Sequence, residues 1–200
     1  MIAGDPLLGI SPGAGWPVDR LIAQASRAAA GGLSTLLLRE VGRSEAELVQ
    51  IIEALGPILS LRLHVGHPAA ARLARERGLS LHAPAWMPPS PLRPASQSAH
   101  DEAELARAVE AGCAMALVAP IFSPGSKPGD RRPTLGLLGL ARLVAACPLP
   151  LFALGGVGPH NAGAMRQAGA AGVATITGIF GPADPAAQVQ ALRRAWAAGA

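Results

Sequence analysis

The chain has 200 residues, half of them apolar, with 17 basic and 13 acidic side chains and a formal charge of +4. That is enough for one core, so a single domain over residues 1–200 is expected. Every apolar run ends well short of the roughly 20 residues a membrane span needs, and the start MIAGDPLLGISPG lacks the basic and apolar regions of a signal peptide, so a cytoplasmic protein without a membrane partner is expected.

Aromatic residues make up only 3%, which leaves few stacking platforms for bases. The positive excess therefore points to an anionic small molecule and no nucleic acid. Cys113 and Cys147 stand apart with no CxxC or Cys/His spacing, which suggests free thiols.

Short apolar runs predict eight strands: Leu7 to Ile10, Ser34 to Leu38, Arg62 to Val65, Leu79 to His82, Ala95 to Ser98, Met115 to Ala119, Leu151 to Leu154 and Val173 to Ile176. Between them, helices are predicted over Val18 to Ala30, Ser44 to Leu55, Pro68 to Arg77, Asp101 to Ala111, Gly136 to Ala146, Pro159 to Ala168 and Pro185 to Ala198. The stretch from Pro84 to Pro94 holds five prolines and reads as a loop in place of a helix. Eight β-α units with near-continuous apolar strands predict a small α/β protein, a (β/α)8 TIM barrel in a single domain. An open doubly wound sheet is the weaker alternative, because ISPGAGWP after the first strand carries a proline where a dinucleotide fingerprint needs a helix start.

In such a barrel the C-terminal ends of the strands build the site. They hold Ser11, Arg39 with Glu40, Gly66 with His67, His82, Ser98 with His100, the Lys127 loop, Gly155 with Gly156, and Thr177 with Gly178. Lys127 is the one lysine among 17 basic residues and sits in the loop FSPGSKPGDRRP, where Arg131 and Arg132 could help close over an anion. Gly155, Gly156, Thr177 and Gly178 have the composition of a phosphate cradle, in which glycine lets a ligand approach backbone N–H groups. His67, His82 and His100 are candidates for proton transfer. Their place at three consecutive strand ends makes a metal triad conceivable, but none has paired spacing with a second ligand on its own element, so metal binding is the lesser alternative and no metal is assigned. His64 reads as structural within its strand. Arg39 and Glu40 point to opposite faces by pleat, so one of them faces the mouth.

The run from Ser98 to Pro185 contains, in order, SAHDEAELARAVEAG, APIF, GSK, LGG and TGIF followed by PADP. In these segments it resembles the thiamine phosphate synthase and TenI superfamily. TLLLRE resembles the family's QLRE strand and RLHVGHPAAARLARERGLSLHAP its ND-to-HLG segment. The resemblance implies a phosphate-binding barrel in which Lys127 and Ser126 contact pyrophosphate or thiazole phosphate, Gly155, Gly156 and Thr177 hold the thiazole phosphate, and Arg39 the pyrophosphate.

Departures from the family pattern are equally specific. His67 stands where the synthases carry one Mg²⁺-binding Asp, APAWMPP offers no acid for the second, and Leu37 and Val41 replace the Gln and Lys of QLREK. In the TenI branch a histidine in the segment matching APIF moves the proton; Pro120 stands there in this chain.

Three functions follow. The first is a TenI-like thiazole phosphate binder with metal-independent proton transfer. The second is a divergent synthase joining pyrimidine pyrophosphate to thiazole phosphate, in which case Mg²⁺ is the cofactor. The third is a non-catalytic carrier of a phosphorylated small molecule. A homodimer is left open.

Overall fold

The computed structural model describes residues 4–123 and 133–200. Eight parallel strands close into a barrel in sequence order, each hydrogen-bonded to the next and β8 to β1. They are β1 (Leu7–Ile10), β2 (Thr35–Leu38), β3 (Ser60–His64), β4 (Ser80–Ala83), β5 (Ser96–Ala99), β6 (Met115–Val118), β7 (Leu151–Leu154) and β8 (Gly172–Thr175). The helices are α1 (Val18–Ala30), α2 (Glu45–Leu55), α3 (Ala70–Arg77), α4 (Glu102–Glu110), α5 (Gly136–Ala146), α6 (Ala162–Gln167), α7 (Thr177–Phe180) and α8 (Pro185–Ala198). All eight expected strands form, β1 and β7 with the expected ends and the others displaced by one or two residues.

Local chemistry explains where the helices begin. Ser44 and Glu47 make a reciprocal capping box at the start of α2, and Asp101 accepts the Glu104 N–H ahead of α4. Asp184 accepts from Ala186 and Ala187 while Pro185 opens α8, where its missing N–H costs nothing. The helix expected from Pro159 starts instead at Ala162. Asn161 explains the delay: its amide accepts the Gly158 N–H and donates to the Gly156 carbonyl, holding residues 156–161 in a turn. A single-turn helix, α7, forms where the sequence pattern suggested only a strand end, because four residues are too few to show a 3.6-residue period.

Strand pleat divides the apolar side chains into two sets. Outward residues such as Leu36, Leu38, Leu61, Leu63, Ala116 and Val118 join the helices in the main core. Inward residues Leu8, Ile10, Leu37, Met115, Leu117 and Ala174 fill the barrel with Phe152, Leu154 and Ile176. Each fully buried leucine contributes roughly 1.5–3 kcal/mol, so these two layers carry most of the fold.

The inward positions of β3, β4 and β5 are polar. Arg62, His82 and Ser96 are buried, at 3%, 2% and 0% exposure. Arg62 Nη1 lies 3.2 Å from Met115 Sδ, and its Nε has no partner among the described residues. Burial pulls this guanidinium below its ordinary pKa, partly offset by the nearby Cys113 thiol. A buried guanidinium therefore stands on one side of the barrel interior, close enough to His82 to act on its charge. No helix among the described residues is long and apolar enough to cross a membrane.

Candidate active site

A cavity of about 260 Å³ opens at the C-terminal ends of the strands. Its floor is apolar, formed by Ile10, Leu37, Leu117 and Leu154. Its polar lining consists of Arg39, His64, His82, Ser98, His100, Thr175 and Thr177, joined by the Gly155–Gly156 turn. None of the described lining residues is an Asp or Glu. One guanidinium, three imidazoles and no carboxylate give a lining suited to an anion.

Arg39 and Glu40 separate as the pleat requires. Arg39 is exposed and lines the cavity, with its backbone N–H donated to the buried Ser11 hydroxyl at 2.8 Å. Glu40 turns away from the cavity and pairs with Arg43, both side chains almost fully buried. Arg43 also donates to the Trp16 carbonyl at 2.6 Å, and Glu40 accepts the Gly13 N–H at 3.2 Å. The pair thus ties together the loops after β1 and β2.

The histidines fall into distinct environments. His67 lies outside the cavity lining. One ring nitrogen meets the Arg43 carbonyl at 3.1 Å and the other accepts the Ala69 N–H at 3.1 Å. Both are used by backbone, because the turn after β3 carries residue 67 away from the mouth. His82 lines the cavity, but its Nδ1 and Nε2 lie 2.8 and 3.0 Å from the hydroxyls of Ser96 and Ser98. Burial pushes this imidazole well below the usual histidine range, and the neighbouring His64, Arg62 and Arg39 charges add to the effect.

His64 ends β3 and lines the cavity with its ring centroid 5.7 Å from that of His82. Its Nδ1 accepts the Gly66 N–H at 3.0 Å, which puts the ring hydrogen of the neutral form on Nε2. Burial lowers its pKa, and Arg39 adds to that. The expectation that His64 is merely structural missed this placement. The alternation in SLRLH carried the signal: Leu61 and Leu63 face the helices, so Arg62 and His64 face the barrel.

His100 lines the same cavity one residue beyond β5. Its Nδ1 lies 2.7 Å from Glu104 Oε2, and the same oxygen accepts the His100 backbone N–H at 2.7 Å. Glu104 is fixed by its place in the first turn of α4, capped by Asp101. The hydrogen on Nδ1 is thereby held by a carboxylate.

The glycine-rich endings of β7 and β8 behave differently from each other. Gly155 and Gly156 adopt φ +99° and +64°, and both line the cavity. A Cβ at Gly156 would approach Phe122 Cβ to 2.7 Å, so the close packing of residues 120–123 also demands glycine. Gly178 lies outside the lining. Its N–H is donated to Thr175 Oγ1 at 3.1 Å, and a Cβ there would come within 2.5 Å of the Val157 carbonyl. That glycine serves the junction between β8 and α7. Lys127 and Ser126, with Arg131 and Arg132, lie outside the described residues. Among the described residues no cluster of three His, Cys, Asp or Glu could hold a metal ion.

Comparison with known proteins gives the cavity a family context. Residues 95–179 match the family model described as thiamine monophosphate synthase. The thiamine-phosphate synthase of Laribacter hongkongensis is 47% identical over 73 residues, covering 36% of this chain and 34% of that protein. That of a Roseiflexus species is 40% identical over 86 residues, 43% of this chain and 36% of its own length. These matches span about a third of the relatives.

Over the whole chain the fold is that of a thiamine phosphate pyrophosphorylase from Pyrococcus furiosus, with a TM-score of 0.78 at 17% identity and 96% of both chains covered. The segment that resembles the thiamine phosphate synthase and TenI family runs from residue 95 to residue 179 and holds the SAH strand end, the double-glycine turn and Thr177 to Ile179.

Proposed function

We propose that this chain is a TenI-like member of the thiamine phosphate synthase and TenI superfamily. It binds thiazole phosphate and moves a proton on it without a metal, taking the proton from one position of the ring system and returning it at another. One observation carries the reading: the mouth cavity combines Arg39, the Gly155–Gly156 turn and three imidazoles with no carboxylate among its described lining residues.

The phosphate would sit against Gly155, Gly156 and Thr177, with Arg39 on its flank and Lys127 contributed by the loop after β6. Backbone N–H groups and basic side chains stabilise such an anion more strongly in a partly enclosed site than in water. The remainder of the ligand would then lie over the apolar floor.

His100 is the proton carrier in this reading. In the neutral ring a hydrogen held on Nδ1 by Glu104 makes Nε2 the basic nitrogen, which is the arrangement a general base needs. His82 is less suited, since burial disfavours the protonated ring that such a transfer passes through. The described donor set does not fit Mg²⁺, which takes oxygen ligands centred on carboxylates.

A second reading, a divergent synthase, is favoured by the names of the curated relatives, all thiamine-phosphate synthases among those compared above. Calorimetric titration with thiazole phosphate and with pyrophosphate, each with and without Mg²⁺, separates the two. Thiazole phosphate binding unaffected by Mg²⁺ is expected. Pyrophosphate binding that requires Mg²⁺ would establish the synthase reading instead, and no binding of either ligand would overturn both.

A further inference from the structure

The chain has three tryptophans, and two are packed. Trp16 meets Phe180 edge to face at 6.2 Å with Arg20 over its ring, and Trp196 lies against the core beside Arg166. Trp86 differs: it is 76% exposed and lines the mouth cavity. An indole left in water forfeits the burial energy that two others of its kind obtain here. In a chain with 3% aromatics, such a position calls for an occupant of the cavity.

The loop that carries Trp86 is held in place. Gln97, 1% exposed on β5, donates its side-chain amide to the carbonyls of Met87 at 2.8 Å, Pro84 at 3.2 Å and Ala85 at 3.5 Å. Arg107 adds a contact to the Ala85 carbonyl at 3.5 Å, and the Met87 N–H closes a turn on Pro84 at 3.1 Å. Backbone on both sides of Trp86 is therefore tied to the barrel, and the five prolines of residues 84–94 restrict the rest. A wall fixed in advance loses little entropy when a ligand settles on it.

Barrel closure sets the opposite side. In an eight-strand ring, β4 stands across from β8, so Trp86 after β4 and Thr177 after β8 belong to opposite sides of the mouth, with the glycine turn after β7 next to Thr177 and three strands from β4. A phosphate held at the glycine turn directs the rest of its molecule over the apolar floor toward the indole.

We infer that Trp86 is the surface on which the planar ring of the ligand stacks, so that this cavity selects phosphates carrying an aromatic heterocycle over phosphates carrying none. The inference rests on the phosphate-binding reading for one end of the ligand and adds the residue that reads the other. Gln97 is the positioning residue for that surface.

The test is calorimetric titration of wild type, Trp86→Ala and Trp86→Phe with three probes: thiazole phosphate, glycerol phosphate and the unphosphorylated thiazole alcohol. Trp86→Ala is expected to weaken thiazole phosphate about tenfold or more, within the range of ring stacking on an aromatic side chain. Glycerol phosphate should change less than about twofold, and Trp86→Phe should recover most of the loss because it keeps a π-face. Equal weakening of both phosphates, or of neither, overturns the inference while leaving the phosphate reading intact. Should wild type bind neither phosphate, that reading fails on its own; Trp86-dependent binding of the thiazole alcohol would then still support the stacking wall, and its absence would overturn it.

Discussion

The imidazole Nδ1 and the backbone N–H of His100 both lie 2.7 Å from a single oxygen of Glu104, four residues on. This pairing links the end of β5 to the first turn of α4 and fixes both the position and the tautomer of a cavity-lining histidine. If the proposed proton transfer uses His100 as its base, His100→Ala should lower kcat by about 10²-fold or more, the usual range for a positioned general base. Glu104→Gln keeps an acceptor and should fall in between, with KM nearly unchanged. A thiazole isomerisation assay that shows His100→Ala at wild-type kcat removes His100 from the mechanism.

Arg43 and Glu40 form a pair whose side chains are 3% and 0% exposed. Taking one charge away leaves the other buried without compensation, which typically costs about 3–5 kcal/mol. Arg43→Met should lose stability on that scale, helped by the loss of its bond to the Trp16 carbonyl. Urea unfolding reads the difference directly, and a loss under about 1 kcal/mol would mean the pair is relieved by water or rearrangement.

His82 gives the fold a defined response to acid. Its folded pKa lies well below the ordinary 6.5, mainly through burial. The unfolded chain therefore binds a proton that the folded chain refuses. Stability is full above about pH 6.5 and falls as the pH drops below it, by up to about 1.4 kcal/mol per pH unit for this one group. Unfolding midpoints measured from pH 7.5 down to pH 5 should show that slope in wild type and a smaller one in His82→Gln. Identical slopes would assign the acid sensitivity to other groups.

Lys127 lies outside the described residues, so its expectation comes from sequence: one ammonium in an otherwise arginine-rich chain, in the loop after β6. Lys127→Ala should weaken thiazole phosphate binding by about 1.5–3 kcal/mol, the range for hydrogen bonds to charged groups, with little change in Tm. Arg39→Gln should act in the same direction through the exposed guanidinium at the mouth. Calorimetry that finds both variants at wild-type affinity would move the anion elsewhere.

Much of the architecture was legible in the chain. Alternation of apolar runs with helical stretches sufficed for eight strands and a closed barrel, because parallel strands buried on both faces leave a continuous apolar signature. Capping residues Ser44, Asp101 and Asp184 marked helix starts within a residue, since the bonds they make are local. The superfamily resemblance was legible for the same reason, as motifs of a few adjacent residues from Ser98 to Pro185.

What the sequence left open depended on contacts between residues far apart in the chain. Gly156 and Gly178 look alike in sequence, yet one lines the cavity and the other gives its N–H to Thr175, because the Val157 carbonyl packs where a Cβ would be. His64, His67, His82 and His100 are equivalent as letters. Pleat turns His64 and His82 inward, the turn after β3 hands His67 to the Arg43 carbonyl, and two serines of the neighbouring strand occupy His82. The standing of Trp86 was likewise decided by Gln97, reaching across to the loop carbonyls from the next strand. Local patterning determined the barrel and its family signature; barrel closure, by choosing which polar groups find partners, decided which residues line the cavity.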